Sequence, residues 1–342
     1  MAYGYKVYFS ERPRNRVICY DPDSREARVV AGEPRDGDVT QRLNDPYGLT
    51  LDKSGRLLIA DKLNNRVCRV ESGKLVPLPI IDGNGHRKLI PGSRYRHAQE
   101  RMVSPTGLFC EKDGAFLCAF GDDRTVYRIH SNGHLELLLG IPPNRPQVVR
   151  KIRDVVPQSE LKELPLFGPT AVTESADGTI VFIERGYQSV RQYHSRRGVR
   201  TIFPSAQSRA FRHAGNSSRA VQIPEQGALS EYHPAFPSAV AFDSDGLLYL
   251  SDIQHKRILA IDLTRQCFST VLQAGATETA GKYAGFAFGP KGAVWVLDAA
   301  AGTIQEYSRE RAKAWVAVGA PVTEVAGKRF QFFPAGAGMV CG

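Results

Sequence analysis

The sequence predicts an all-β ring of six four-stranded blades, and three observations carry that prediction. A unit opened by proline recurs along the chain, with Pro46, Pro105, Pro169 and Pro237 opening four copies and Tyr283 a variant fifth. Each copy keeps the same landmarks without a gap: a turn glycine at plus nine, a strand end at plus fifteen, a β-branched residue at plus twenty-one and an apolar one at plus twenty-four. The two ends of the chain supply a sixth copy in halves. Several landmarks held at constant offsets identify a repeat architecture far better than any single motif.

The copy from Pro46 to Val70 shows why each element forms. Pro46-Tyr47-Gly48 leads into the alternating run Leu49, Thr50, Leu51, and Asp52-Lys53-Ser54-Gly55 supplies a tight turn. A second strand ends on Asp61, Asn64-Asn65-Arg66 turns, and a third strand runs on from Val67. Gly, Asn and Asp tolerate left-handed or Asx-turn geometry, so short loops suffice. The turn glycine recurs as Gly114, Gly178, Gly246 and Gly292, and the strand end as Phe120, Glu184, Asp252 and Asp298. At the N-terminal side Tyr5 to Ser10 ends on Glu11, with Val17 and Tyr20 at the usual offsets but no opening strand before them. The missing strand lies in Phe333 to Val340. Pairing it with Tyr5 to Ser10 would close the ring and remove two open sheet edges.

The pattern P-x-G-φ-x-φ-D-x-x-G-x-φ-φ-φ-A-D-x-x-N-N-R-V resembles the NHL repeat. Pro46 to Val70 matches it nearly throughout, and Pro237 to Ile261 matches well. Two copies depart: Phe120 replaces the strand-end acid, although Asp122 and Asp123 follow, and Ala301-Gly302-Thr303 replaces the Asn-x-Arg turn. The resemblance covers about two-thirds of the chain and implies a six-bladed β-propeller; it does not imply one function. On this reading residues 1–342 form one domain. Blade 1 comprises 4–32 with 333–341, and blades 2 to 6 span 46–80, 105–140, 169–205, 237–274 and 283–318.

Composition excludes several classes. No basic leader precedes an apolar run at the start, so no signal peptide is read, and no apolar stretch approaches the ~20 residues of a membrane helix. The six cysteines form no C-x-x-C and are dispersed over strand-like runs, which fits buried thiols in a reducing, cytoplasmic setting. Cys19 and Cys341 are the one pair that ring closure would bring near each other. The net charge of +10 favours acidic partners. No phosphate loop, dinucleotide fingerprint or nucleophile elbow is present.

Blade spacing is uneven, and the surplus falls in three connections, 81–104, 141–168 and 206–236. Loops this long in a compact domain are usually functional. They contribute +3, +2 and +1, six of the ten net charges, so a basic, loop-decorated face is expected. By the family resemblance that is the face carrying the turns after the strand-end acids. Within the second connection, Pro157 to Leu164 reads as a short helix with Ser159 at its N-cap.

Three constellations carry candidate chemistry. The strand-end acids Glu11, Asp61, Glu184, Asp252 and Asp298 can hold a divalent ion or act as a base if they converge on the axis. The competing reading is that each accepts amides in the loop that follows. Glu184, Arg185, Tyr187, Asp252 and His255 are the candidate catalytic residues, since polar side chains there depart from ordinary turn residues. Histidines of the inserts, His97, His213 and His233, form the candidate metal set, because three imidazoles from separate loops suit zinc; zinc or calcium at the central channel is the cofactor to look for. Resemblance to amidating-lyase and gluconolactonase-like propellers implies a metal-assisted lyase or hydrolase. The basic and aromatic set includes Arg94, Arg96, Arg150, Arg153 and Arg212, with Asp61, as ligand-binding candidates. Interleaved guanidinium and aromatic groups suit phosphates and unpaired bases, and NHL propellers of the TRIM type resemble this in reading single-stranded RNA. An acidic protein segment or an anionic small molecule fits the same charges. A binding module presenting this face is therefore expected first, and an enzyme with its site over the axis second.

Overall fold

A computed structural model describes residues 5–32, 38–80, 104–141, 154–203, 224–273, 283–299, 301–308, 324–325, 328–329 and 339–341. The described strands form six antiparallel blades of a β-propeller. In blade 2, Pro46–Leu51 is innermost, followed outward by Leu57–Asp61, Arg66–Glu71 and Lys74–Pro77. Blade 1 takes its inner strand from Met339–Cys341, which pairs with Val7 to Phe9. The register sets Cys341 opposite Val7 but Cys19 opposite Tyr8, one step out of phase, and Cys19 is a buried free thiol.

Strand alternation decides how blades meet. Successive side chains leave a strand on opposite faces, so every blade is apolar on both. Among the described residues the core accordingly divides into six clusters, each between two neighbouring blades. The cluster joining Val7, Phe9 and Ile18 to Trp295, Leu297 and Ile304 seals blade 6 against blade 1. There the Trp295 indole N–H donates to the Tyr5 hydroxyl at 2.9 Å. Phe120, where blade 3 lacks the acid, is wholly buried in the layer shared with blade 2.

The repeat offsets correspond to backbone requirements. Turn glycines Gly55, Gly114, Gly178, Gly246 and Gly292 all have positive φ. Four residues after each strand end the backbone is again left-handed, at Asn15, Asn65, Arg124, Gln188, Lys256 and Gly302. Asn and Gly suit that conformation; the other three accept a strain of roughly 1–2 kcal/mol each. Every inner strand from blade 2 to blade 6 also shifts register just after its opener. At the third position the inner strands nearly touch. A Cβ on Gly48 would overlap the Thr106 carbonyl, and one on Gly107 would lie 2.9 Å from the Ala171 Cα.

Two expectations need correction. Blades 4 and 5 have five strands, because Val155–Val156 and Gln226–Ala228 from the long connections add to their outer edges. An outer edge offers unpaired backbone groups, and chain that must pass anyway covers them. The helix in the second connection is a 3-10 turn over Gln158–Glu163, with Pro157 rather than Ser159 at its N-cap and no side-chain cap. Proline's fixed φ supports the extended backbone that enters the turn. No helix among the described residues is long and apolar enough to cross a membrane.

Because the inner strand of blade 1 comes from the far end of the chain, loss of it should be felt around the ring. Deleting residues 339–342 is expected to lower the melting temperature of the whole domain in a single transition, read by calorimetry. A variant that melts like the full chain would show that the pairing contributes nothing.

Candidate functional site

The strand-end carboxylates, present in every blade but blade 3, are structural clamps, and none joins a metal-holding group among the described residues. Asp61 accepts the Asn44 amide (2.7 Å), the Asn64 side-chain amide (2.9 Å) and the Arg66 guanidinium (2.6 Å). Glu184 accepts the Phe167 amide (3.0 Å) and Arg191 (3.1 Å). Asp252 accepts the Ala235 and Phe236 amides, both at 3.0 Å. The bonded amides lie sixteen or seventeen residues upstream, in the chain entering the blade. Glu11 holds Arg16 at 2.5 Å. Asp298 matches the expected bond to the following turn, accepting the Ala301 amide. The carboxylates close the second strand, one strand out from the axis. Burial pushes Asp61 and Glu184 above their ordinary values, while the guanidinium groups pull the other way.

Among the described residues the channel those acids were expected to ring has no charged lining. It holds about 270 Å³ and is walled by inner strands of blades 2 to 6, with glycines, Thr50, Thr170, Thr173 and Ser238 among apolar side chains. Tyr47 is its only titratable lining residue among those described.

Charge gathers instead at the mouth, from the residue just after each strand end. The turn there folds back onto the entering chain: the amides of Gly121, Arg185 and Ile253 donate to the carbonyls of Ser104, Gly168 and Phe236 at 3.0–3.1 Å. At the position after the strand end blade 1 carries Arg12, blade 2 Lys62 and blade 4 Arg185. Arg12 lies 4.4 Å above the Tyr47 ring and Lys62 5.5 Å from it. Both bind Asp45, Arg12 through two bonds of 2.6 and 3.0 Å and Lys62 at 3.2 Å. Burial would raise the Asp45 carboxyl, but these two cations outweigh it and hold it below the ordinary range. Arg185 is exposed; its guanidinium lies 5.5 Å from the Phe236 ring, and its charge acts on Tyr47. Burial raises Tyr47 above its ordinary value, against the pull of Arg12 and Arg185.

The other candidates distribute as follows. Tyr187 is buried with its ring 4.2 Å from Phe167, and Arg124 covers Phe167 at 5.1 Å. Asp252 and His255 do meet: His255 Nδ1 is 2.8 Å from Asp252 Oδ2, and the Tyr232 hydroxyl donates to the same oxygen at 2.7 Å. Burial opposes the Asp252 charge, yet His255, Tyr232 and the Ala235 amide lower its pKa. His233 joins no group of three metal-ligating side chains among the described residues, because it lies on the anchored end of its connection. His97, His213, Arg94, Arg96, Arg150, Arg153 and Arg212 lie outside the described residues. Arg12, Asp45, Tyr47 and Lys62 were not singled out from sequence. Comparing the position after each strand end would have shown Arg12, Lys62 and Arg185 in register; nothing local marks Tyr47 or Asp45.

No protein-family profile and no curated sequence matches this chain. Solved structures do. A nidogen/laminin complex aligns over 99% of this chain and 98% of its own, at 9% identity and a TM-score of 0.58. Virginiamycin B lyase from Staphylococcus aureus aligns over 93% and 81%, at 12% identity and 0.52. A gluconolactonase from Xanthomonas campestris aligns over 86% and 79%, at 15% identity and 0.51. At such identities the likeness shows the propeller fold alone.

Two measurements check these assignments. Asp61→Ala leaves Arg66 buried without its carboxylate and should cost about 3–5 kcal/mol in urea unfolding; Asp61→Ala with Arg66→Met should cost clearly less. For Asp252 the lowered folded value means its contribution is complete above about pH 4. It is lost as pH falls through the folded value. Asp252→Asn should therefore flatten the acid-side fall in melting temperature below about pH 4, and an unchanged acid limb would remove the assignment.

Proposed function

We propose that this propeller is a binding module that receives a carboxylate-bearing partner at the mouth of its channel. The observation that carries the reading is the set of cations around Tyr47: Arg12 at 4.4 Å and Lys62 at 5.5 Å from its ring, with the exposed Arg185 acting on the same phenol. Asp45 offsets one of the three charges, so the mouth keeps a local excess of positive charge. Guanidinium groups bind carboxylates through paired, charge-assisted hydrogen bonds.

An acidic segment or small acid fits better than RNA. Base stacking needs open ring faces, and here Arg12 covers Tyr47, Arg124 and Tyr187 cover Phe167, and Arg185 covers Phe236. The second reading, an enzyme, draws on the Asp252–His255 contact, which orients an imidazole as acid–base and metal sites do. Stoichiometric zinc or calcium lost on His255→Ala would favour it.

Fluorescence anisotropy with labelled octaglutamate tests the first reading. Binding should weaken with salt and fall about tenfold in Arg185→Gln. No binding at low salt, or an affinity indifferent to that substitution, would refute it. Tighter binding of single-stranded RNA with a steep salt slope would transfer the site to nucleic acid.

A further inference from the structure

The seam between blades 2 and 3 is apolar over most of its height, where Leu58 and Val67 of blade 2 meet Phe116, Phe120 and Ile129 of blade 3. Alternation along a strand keeps every second side chain on one face. Arg69 lies two residues after Val67 and pairs with Leu58 in the register, so it shares their face of blade 2. Arg56 lies two residues before Leu58. At the end of the seam away from the strand-end acids, guanidinium groups therefore stand where blade 3 offers apolar side chains. The two sheets leave a cleft there of about 320 Å³, with Lys53, Arg56 and Arg69 in its lining from blade 2 and Phe116 and Ile129 from blade 3.

The next seam shows what this one lacks. Arg128 holds the repeat position of Arg69 one blade on, and all its nitrogens are engaged: Nε and Nη2 on Glu111 at 2.7–3.0 Å and Nη1 on Glu136 at 3.2 Å. Arg69 donates only its Nε–H, to Glu71, and Arg56 only its Nε–H, to Asp52 at 2.8 Å. Arg56 Nη1 stops 3.8 Å from Glu71. A guanidinium carries five N–H groups, so most of those on Arg56 and Arg69 have no acceptor among the described residues. The Lys53 stem crosses toward blade 3, its Cε 3.2 Å from where a Cβ on Gly114 would stand. Asp52, Asp113 and the adjacent Glu71 balance the three cations, and His130 of the lining lies 3.4 Å from Glu136. The cleft is thus rich in donors without a large net charge.

We infer that this cleft takes an aromatic monocarboxylate, its ring laid between the guanidinium groups and Phe116 and its carboxylate accepting from Arg56 and Arg69. Guanidinium planes stack on aromatic faces and match carboxylates in paired hydrogen bonds. A monoanion fits better than a dianion because the three carboxylates already offset the cations. The volume equals about ten waters at ~30 Å³ each, the size of a single ring with a short acid side chain. The site is separate from the mouth and does not depend on what the mouth binds.

Calorimetric titration of the full chain with sodium 3-phenylpropanoate tests this, with 3-phenylpropan-1-ol, 3-phenylpropylamine, propanoate and phenyl phosphate as controls. Phenylpropanoate should bind saturably at one site and each control about tenfold more weakly or worse. Arg56→Gln and Arg69→Gln, both at partly exposed side chains, should each weaken it about tenfold with the melting temperature held. Leu78→Trp, which fills the cleft from its flank, should abolish binding; Ser131→Trp, at an exposed turn residue of the lining, makes the same comparison should the first variant fail to fold. Absence of saturable binding, indifference to both arginine variants or to both tryptophan variants, or equal affinity for the amine or the phosphate overturns the inference.

Discussion

Five of the six blades depend on a buried carboxylate placed where the second strand ends. Face-to-face packing of six twisted sheets leaves the entering chain to turn from the rim of one blade to the axis of the next, and its amides lose water there. Asp61, Glu184 and Asp252 supply the acceptors, at 2.7–3.0 Å. The charge so buried is itself matched, by Arg66, by Arg191, and in blade 5 by His255 with the Tyr232 hydroxyl. Blade 3 shows the alternative. With Phe120 in that place the layer against blade 2 is apolar, and the Ser104 amide donates to Asn65 Oδ1 of blade 2 instead, at 3.0 Å.

That use of the acids moves the chemistry elsewhere. Carboxylates saturated by amides and guanidinium groups are poor metal ligands, and the channel they might have served is narrowed by backbones in near contact at Gly48 and Gly107. What the clamp does provide is position. By folding the turn back onto the entering chain, it fixes the position after the strand end. Blades 1, 2 and 4 carry cations at that position, Arg12, Lys62 and Arg185, and blade 3 carries Gly121. Among the described residues the channel lining itself is uncharged.

The same turn explains why sequence and site were unevenly linked. Gly55 and its counterparts were legible because a positive φ excludes most residues, and the acids because they recur at one offset. Those are local demands, and they mark architecture. Glu184-Arg185-Tyr187 looked like one unit yet divides three ways: Glu184 into its clamp, Tyr187 against Phe167, Arg185 beside the Phe236 ring. Asp252 and His255, three apart across a tight turn, were close enough in sequence to be paired by inspection. Tyr47 and Arg185, 138 residues apart, were not.

The sequence by itself determined the periodic part: six blades, their turns, the paired apolar faces of each strand and the terminal strand that completes blade 1. Such features answer to short-range geometry, where the residue and its neighbours state the requirement in full. Only the tertiary structure decided which polar groups are spent on folding and which stand at the mouth. Curling the blades into a ring sets side chains from blades 1, 2 and 4 around one phenol, and contact across an axis leaves no periodic trace in the chain.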